Sequence, residues 1–441
     1  MEAEIVMDQL HKAPIAISDE LLAAYRATLY EVETSTGWMT LRVGQVVPPA
    51  FWTAVAPHRL VAVVSACNPF SVATPAPENE RQQGRLVAAL DAAGRSWRPA
   101  LGRDPSGRWP AEQSVAVFDA SDEEIDAWML TFGQNAVVVA TNARPLELRL
   151  HPDAVLPGWV VLHVPHDSTL IPPSVRDQFL LGDEALGAEL ARMTDHHTAR
   201  LFGAALVSMD QMVRAEVSRL VVDVERFQDD ERESMACRGM GAVYGVTSEL
   251  EPLRRALTPA ERQGLIERYY LPHQAALTLA VDRALARHGR CLVIDCHSFP
   301  GLALPYEQVG DACGIAPQPG ADGSCAVGQD ADKPSDRRPD ICIGTDPFHT
   351  PEALRNAFVG SFARAGWTVS VDSPFAGALV PIAHFETDSR VAAVMVEVNR
   401  ALYMDESTSA PLPNFAEIAG RIRRCCVQAV VEFGAKSRDQ T

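Results

Sequence analysis

The run Cys291-Leu-Val-Ile-Asp-Cys-His-Ser298 constrains the fold of this chain more than any other stretch. Leu292, Val293 and Ile294 are apolar in succession, too few for a helix, and Gly289 separates them from a long helical pattern. Such a run predicts a central strand buried on both faces, as inside a parallel sheet. It turns polar at Asp295, His297 and Ser298 before Pro300-Gly301 breaks the chain. In open α/β sheets reactive side chains gather beyond the carboxyl ends of the strands, where pairing stops and a crevice opens. Asp295 and His297 stand two apart on the strand, so they share a face and can serve one site. A satisfied structural histidine is the competing reading.

At 441 residues the chain exceeds what one core ordinarily accommodates, so two domains are expected. A formal net charge of −18 argues against general affinity for nucleic acid or an anionic membrane. A small acidic substrate stays possible, because a local cluster of arginines overrides the average field. No apolar run reaches the roughly 20 residues that cross a bilayer. The opening Met-Glu-Ala-Glu lacks the basic and apolar regions of a signal peptide. Nine cysteines without Cys-x-x-Cys spacing read as the inert buried thiols of a reduced, cytoplasmic protein. Nothing in the sequence fixes an oligomeric state.

Residues 1–152 read as a small α+β domain. Strands are expected over 25–32, 59–65, 114–118, 135–140 and 146–150, with a helix over 79–93. A second helix opens at Ser121, where Glu124 completes a capping box. Pro152 and Pro157-Gly158 then punctuate the chain, and residues 153–441 form the second domain. Its expected strands are 159–166, 219–226, the central run, 341–343, 367–371 and 392–400. Helical character covers 183–206, a long stretch from Thr258-Pro259 that Pro272 should kink, and 414–434. Residues 307–338, rich in Gly, Asp and Pro, read as a long loop and a partly ordered lid. Strands alternating with helices predict an α/β fold, a mainly parallel mixed sheet flanked by helices.

Four of these strands end in ionisable residues: His166-Asp167-Ser168, Asp223-Val-Glu-Arg226, Asp295-Cys-His-Ser298 and Glu397-Val-Asn-Arg400. A buried charge is costly unless paired or bound to a metal, so such a gathering points to an assembled site. Two histidines and a carboxylate suit a catalytic zinc, which keeps a fourth position for water. His166 and His297 are the imidazole candidates, and Asp195 is the chosen carboxylate. A straight helix would turn Asp195 away from the stripe Leu186, Leu190, Met193 and His197, so it can bind only if the helix breaks at Thr194. A solvated or capping aspartate is its alternative. His196 and His197 are competing donors. His163, three before His166, is assigned to the opposite sheet face. Glu397 is read as the general base, against a buried ion pair with an arginine. Arg226 and Arg400 could fork onto a substrate carboxylate, or one could polarise the scissile carbonyl, with salt-bridge roles as alternatives. His273 and Tyr270 face inward from the long helix, where they either pack or line the pocket.

In these motifs the second domain resembles the N-formylglutamate amidohydrolase family, a branch of the zinc-carboxypeptidase-like hydrolases. The resemblance runs from about Trp159 to Tyr403 and rests on an ordered series. The series comprises Val164-Pro-His-Asp-Ser168, Thr194-Asp195, Val222-Asp-Val-Glu-Arg226, Tyr270-Leu-Pro-His273, Ile294-Asp-Cys-His-Ser298, Arg338-Pro-Asp-Ile-Cys-Ile-Gly-Thr345, Ser373-Pro-Phe-Ala-Gly377 and Val396-Glu-Val-Asn-Arg-Ala-Leu-Tyr403. It implies hydrolysis of an N-formyl or similar N-acyl bond on an acidic amino acid at one divalent metal. By that similarity His166, Asp195 and His297 match the metal positions, Glu397 the base and Arg226 a substrate or oxyanion contact. Arg400, His273 and Ser298 complete the substrate-binding expectations. A formyl substrate would yield formate and the amino acid, a step of histidine breakdown. Two departures bear on the substrate: Glu225 stands where the pattern Asp-x-Asn-Arg has asparagine, and Gly377-Ala378 where a glycine pair is expected. The first domain resembles an uncharacterised α+β family, through Asn68-Pro-Phe-Ser71, Asn79, Trp109, Glu112-Gln-Ser114 and Phe132-Gly-Gln-Asn-Ala136. That likeness implies no activity, and Asn79 and Gln134 read as structural.

Overall fold

The computed structural model describes residues 15–203, 211–308 and 338–436. The chain divides into two compact units, the described residues up to Val155 with those from Gly434, and Leu156–Phe433.

The first unit is built on seven strands: β1 (Leu29–Thr34), β2 (Gly37–Leu41), β3 (Leu60–Val64), β4 (Trp97–Arg103), β5 (Glu112–Phe118), β6 (Ala136–Thr141) and β7 (Arg144–Leu150). They lie in the order β2-β1-β4-β5-β3-β6-β7, and every pair is antiparallel. Helices Ala76–Ala92 and Asp122–Phe132 bury Leu86, Leu90, Ile125 and Met129 against Val64, Val115 and Val117. Ser121 and Glu124 form both halves of a capping box, and Gly133 ends that helix at φ 62°, a conformation that favours glycine. The strand expected over 25–32 begins later. Ser18 accepts from Leu21 N and starts helix Asp19–Ala27, so the alternating pattern there spans a helix end and a strand start.

The second unit carries β8 (Val160–Val164), β9 (Met212–Arg214), β10 (Cys291–Phe299), β11 (Ile341–Gly344), β12 (Val369–Val371) and β13 (Val391–Asn399). Their order is β12-β11-β13-β10-β8-β9. The β11–β13 pair is antiparallel and the others parallel, so the sheet is mixed and mainly parallel. Leu292, Val293 and Ile294 are wholly buried. Each such side chain stabilises by about 1.5–3 kcal/mol, which anchors the polar residues that follow. One face, carrying Val161, Val293 and Ala393, packs against Leu277, Val281 and Leu285 of helix Leu271–His288. By the two-residue period of a strand, Asp295 and His297 continue that face. Parallel register sets His163 beside Asp295 and Glu397 beside His297.

Several expected elements differ. Residues 219–226 form no strand: Asp223 N donates to Ala242 O, and Arg254 donates to the carbonyls of Leu220 and Val221. Side chains and a neighbouring loop thus replace a strand ladder there. The long helix is interrupted by a π-turn, Ile266–Tyr270, immediately before the segment Leu271–His288 that holds Pro272, which has no N–H to donate. Helix Asp183–Met193 stops at Thr194, extended at ψ 135°, and Thr198–Phe202 resumes it. The expected helical residues 204–206 lie outside the described residues. So do 309–337 of the expected loop and lid, whose first residues belong to helix Pro305–Gln308. Among the described residues six cysteines are buried free thiols, but exposed Cys237 is disulfide-bonded, which corrects the all-thiol expectation. No described helix is long and apolar enough to cross a membrane.

Candidate metal centre and active site

The carboxyl ends of β8, β10 and β13 bring ionisable residues together with two neighbouring segments. His166 follows Pro165 just past the end of β8, and its carbonyl accepts from Asp195 N at 2.9 Å. The helix break at Thr194 is what turns Asp195 inward. Asp195 Oδ2 lies 3.1 Å from His297 Nδ1 and 3.7 Å from His166 Nδ1. The two Nδ1 atoms are 3.3 Å apart. All three residues are buried, with ligand atoms within 4.8 Å of one another. His196 and His197 turn away instead, toward Ser409 Oγ and Ser409 O.

Protons can be assigned from the partners on the outer edges of the two rings. An ionised carboxylate only accepts. His166 Nε2 therefore donates to Asp223 Oδ1 at 2.9 Å. His297 Nε2 faces Asp295 Oδ1 at 3.1 Å and Glu225 Oε1 at 3.0 Å. With those N–H groups on the far side, both Nδ1 lone pairs and a carboxylate oxygen converge on one point. With no cation in the cage, the electrostatics favour a proton in that place. Burial and the Arg219 charge oppose an imidazolium at His166, yet Asp223 and Asp195 outweigh them and raise its pKa. At His297 burial is likewise overcome, by Glu225, Asp295 and Asp195, and the pKa rises well above the ordinary value. Burial would raise Asp195, but hydrogen bonds to both imidazoles and the Arg400 charge hold it well below the usual carboxylate range. The cage attracts positive charge.

Each acid around the cage has its own support. Asp223 is held by Arg219 at 2.9 Å, by the Tyr244 hydroxyl at 2.6 Å and by His166. Burial is overcome by the His166 and Arg219 charges, and its carboxyl stays well below the ordinary value. Glu397 differs. Its Oε2 is buried without a hydrogen-bond partner. Burial chiefly pushes its pKa up to about 8, against the opposing His297 charge, with Asp195 and Glu225 adding to the rise. A single poised carboxyl thus sits beside His297 in the sheet.

Arg400 does not reach outward as expected. Its Nε donates to Ser298 Oγ, Nη1 to Arg192 O, and Nη2 to Asp195 Oδ1 at 2.9 Å and Ser298 O. Burial and four acceptors occupy all three of its nitrogens, with Nη2 on Asp195, and Ser298 accepts at both its hydroxyl and its carbonyl. Arg226 stays 28% exposed; its Nε, 3.8 Å from Asp223, is buried with no hydrogen-bond partner, and Nη1 is 3.5 Å from Glu233. His273 is buried, with Nε2 2.8 Å from His163 Nε2, while Tyr270 donates to Arg226 O. His163 is no bystander. Its assignment to the other face from His166 fails because His166 lies past Pro165, where strand alternation has ended. Arg219 and Tyr244 carried no sequence signal while 219–226 was read as a strand, and Glu225 stood out only as a departure from the family pattern.

An α/β unit with a buried imidazole–carboxylate cage and, among the described residues, one buried carboxylate oxygen without a partner defines a hydrolase-like class of site. The family model described as N-formylglutamate amidohydrolase matches residues 159–404. The match covers more than half of the chain, which belongs to that family. A second model, Protein of unknown function (DUF3293), matches residues 64–137. Among curated relatives, an N-formylglutamate deformylase of Pseudomonas putida is 23% identical over 283 residues, 63% of this chain and 94% of that protein. Among solved structures, N-formylglutamate amidohydrolase from Ralstonia eutropha JMP134 is 22% identical at a TM-score of 0.49, covering 65% of this chain and 96% of its own. A gene product of Agrobacterium tumefaciens is 19% identical at a TM-score of 0.42, covering 64% and 93%.

Proposed function

We propose that this chain is a metal-dependent amidohydrolase that cleaves an N-formyl or N-acyl amino acid, N-formyl-L-glutamate first among candidates, into the carboxylic acid and the free amino acid. One observation carries the reading: His166 Nδ1, His297 Nδ1 and an Asp195 oxygen converge, and Glu397, the neighbour of His297 across the sheet, holds an unpartnered Oε2. Two imidazoles and a carboxylate are the donor set of catalytic zinc. Asp223 and Asp295, in the two other groupings of possible ligands, are already engaged by Arg219 and His163. The wider reading includes a zinc-carboxypeptidase-like sheet, supported by parallel central strands with one antiparallel neighbour.

A zinc ion held there would supply a Lewis acid and lower the pKa of water. The residues of the chain do the rest. Glu397 takes a proton from the attacking water at its carboxylate and delivers it to the departing amine nitrogen, so water and amide become acid and amine. Asp195, fixed by Arg400 and Ser298 N, holds its oxygens in place through the cycle. Arg226, the more exposed arginine, offers its remaining donors to the substrate carboxylate or the developing oxyanion. Glu225 favours a second reading of the substrate. Its carboxylate, 20% exposed at the Nε2 edge of both imidazoles, adds a negative charge where the family pattern has asparagine, and so favours an N-acyl amino acid with an uncharged side chain.

The test is zinc content of the purified chain followed by formate release from N-formyl-L-glutamate and from neutral N-formyl amino acids. One zinc per chain with formate release is expected. Zinc without turnover of any N-acyl amino acid would overturn the catalytic reading.

A further inference from the structure

Behind the cage, on the side away from Asp195, lies a chain of buried groups that the mechanism above does not use. Asp295 Oδ1 is 3.1 Å from His297 Nε2 and 2.7 Å from His163 Nδ1, and His163 Nε2 is 2.8 Å from His273 Nε2. Asp295 Oδ2 accepts from Leu379 N at 3.0 Å. Asp295 and His163 are wholly buried and His273 nearly so.

We infer that Asp295, held from behind by His163 and His273, is the positioning residue that fixes His297 with Nδ1 toward the cage and strengthens it as a ligand. The inference rests on the metal reading above. Its first ground is direction. Since a carboxylate only accepts, His163 Nδ1–H donates to Asp295 and His163 Nε2 then accepts from His273, while His297 Nε2–H lies 3.1 Å from Asp295 Oδ1 beside its hydrogen-bond acceptor Glu225 Oε1 at 3.0 Å. That leaves Nδ1 of His297 the one bare nitrogen of its ring. Its second ground is charge. Asp195 has Arg400 and Asp223 has Arg219, but Asp295 has no arginine or lysine partner among the described residues. A buried carboxylate without a cation is costly. Positive charge reaching it through the imidazole of His297 compensates it, and the carboxylate in return makes that ring a better donor. The third ground is register. His163 and Asp295 are paired neighbours on β8 and β10, and the helix packed on that face supplies His273, so the sheet itself holds the carboxylate still.

The test is zinc affinity by chelator competition, together with the Co(II) absorption spectrum and the melting temperature of the metal-free protein. Asp295→Asn should weaken zinc by about 10–100-fold, the usual cost of losing an outer partner of a metal ligand, and shift the Co(II) bands. His163→Leu should weaken it in the same direction. His163→Asn, whose amide N–H can replace Nδ1–H, should recover most of the lost affinity. Wild-type affinity and spectrum in Asp295→Asn and His163→Leu would overturn the inference while leaving the metal reading intact. Equal loss in His163→Leu and His163→Asn, tracking a fall in metal-free melting temperature, would also overturn it, since packing alone would explain both. A wild-type chain that binds no divalent metal would overturn the metal reading and this inference with it.

Discussion

The two sheets bury polar groups in opposite ways. In the first unit the buried glutamines are met by backbone: Gln83 Oε1 accepts from Ala66 N, and Gln134 Nε2 donates to the carbonyls of Cys67 and Phe132. Asn68 and Asn79 close a ring with each other and with Thr74. Around the cage in the second unit the buried groups are ionisable, are balanced charge against charge, and leave Glu397 Oε2 and Arg226 Nε without a hydrogen bond. A complete amide network fixes loops. An ionic network with open valences has capacity left for a proton, a cation or a substrate.

The comparison breaks most sharply at Glu397. Glu397→Gln should lower kcat by about 10²–10⁴-fold, the range of general acid–base catalysis, with zinc content unchanged. Unchanged rates would remove it from the mechanism. His297→Ala should abolish stoichiometric zinc, measured by elemental analysis, and full occupancy would refute the ligand assignment. Next in size, zinc at about 100 times its Kd should stabilise the chain by about 2.7 kcal/mol against urea, an increment that chelation removes. In the first unit, Gln83→Leu leaves Ala66 N–H unmet and should cost about 1–3 kcal/mol of stability with no change in zinc affinity.

A further effect is one of pH. Burial raises Glu397 from 4.5 to about 8 in the metal-free fold, so the folded state binds the proton more tightly than the unfolded chain. The stability this provides is complete below pH 4.5, is lost as pH rises to about 8, and is absent above. Melting temperatures of the metal-free protein should therefore decline over that window more in wild type than in Glu397→Gln.

Much of this was legible in the sequence, for identifiable reasons. The apolar run of β10 and its polar end located the centre of the site, because burial on both faces leaves no alternation and strand ends are where polar side chains become useful. Asp195 was legible only as a condition, since its direction depends on a helix break that propensity does not fix. The segment around Asp223 was misread because Val-rich residues in a loop braced by Arg254 look like a strand. His163 was set aside because strand periodicity was carried through Pro165 to His166. Which strand lies beside which is long-range information, and it is what joins His163 to Asp295.

The proposed function depends on a divalent cation binding where three lone pairs converge. Anomalous diffraction at the zinc edge from zinc-soaked crystals tests it most directly. One peak is expected within about 2.0–2.2 Å of His166 Nδ1, His297 Nδ1 and an Asp195 oxygen. A peak at the Nε2 edge beside Glu225, or no peak in the cage, would contradict it.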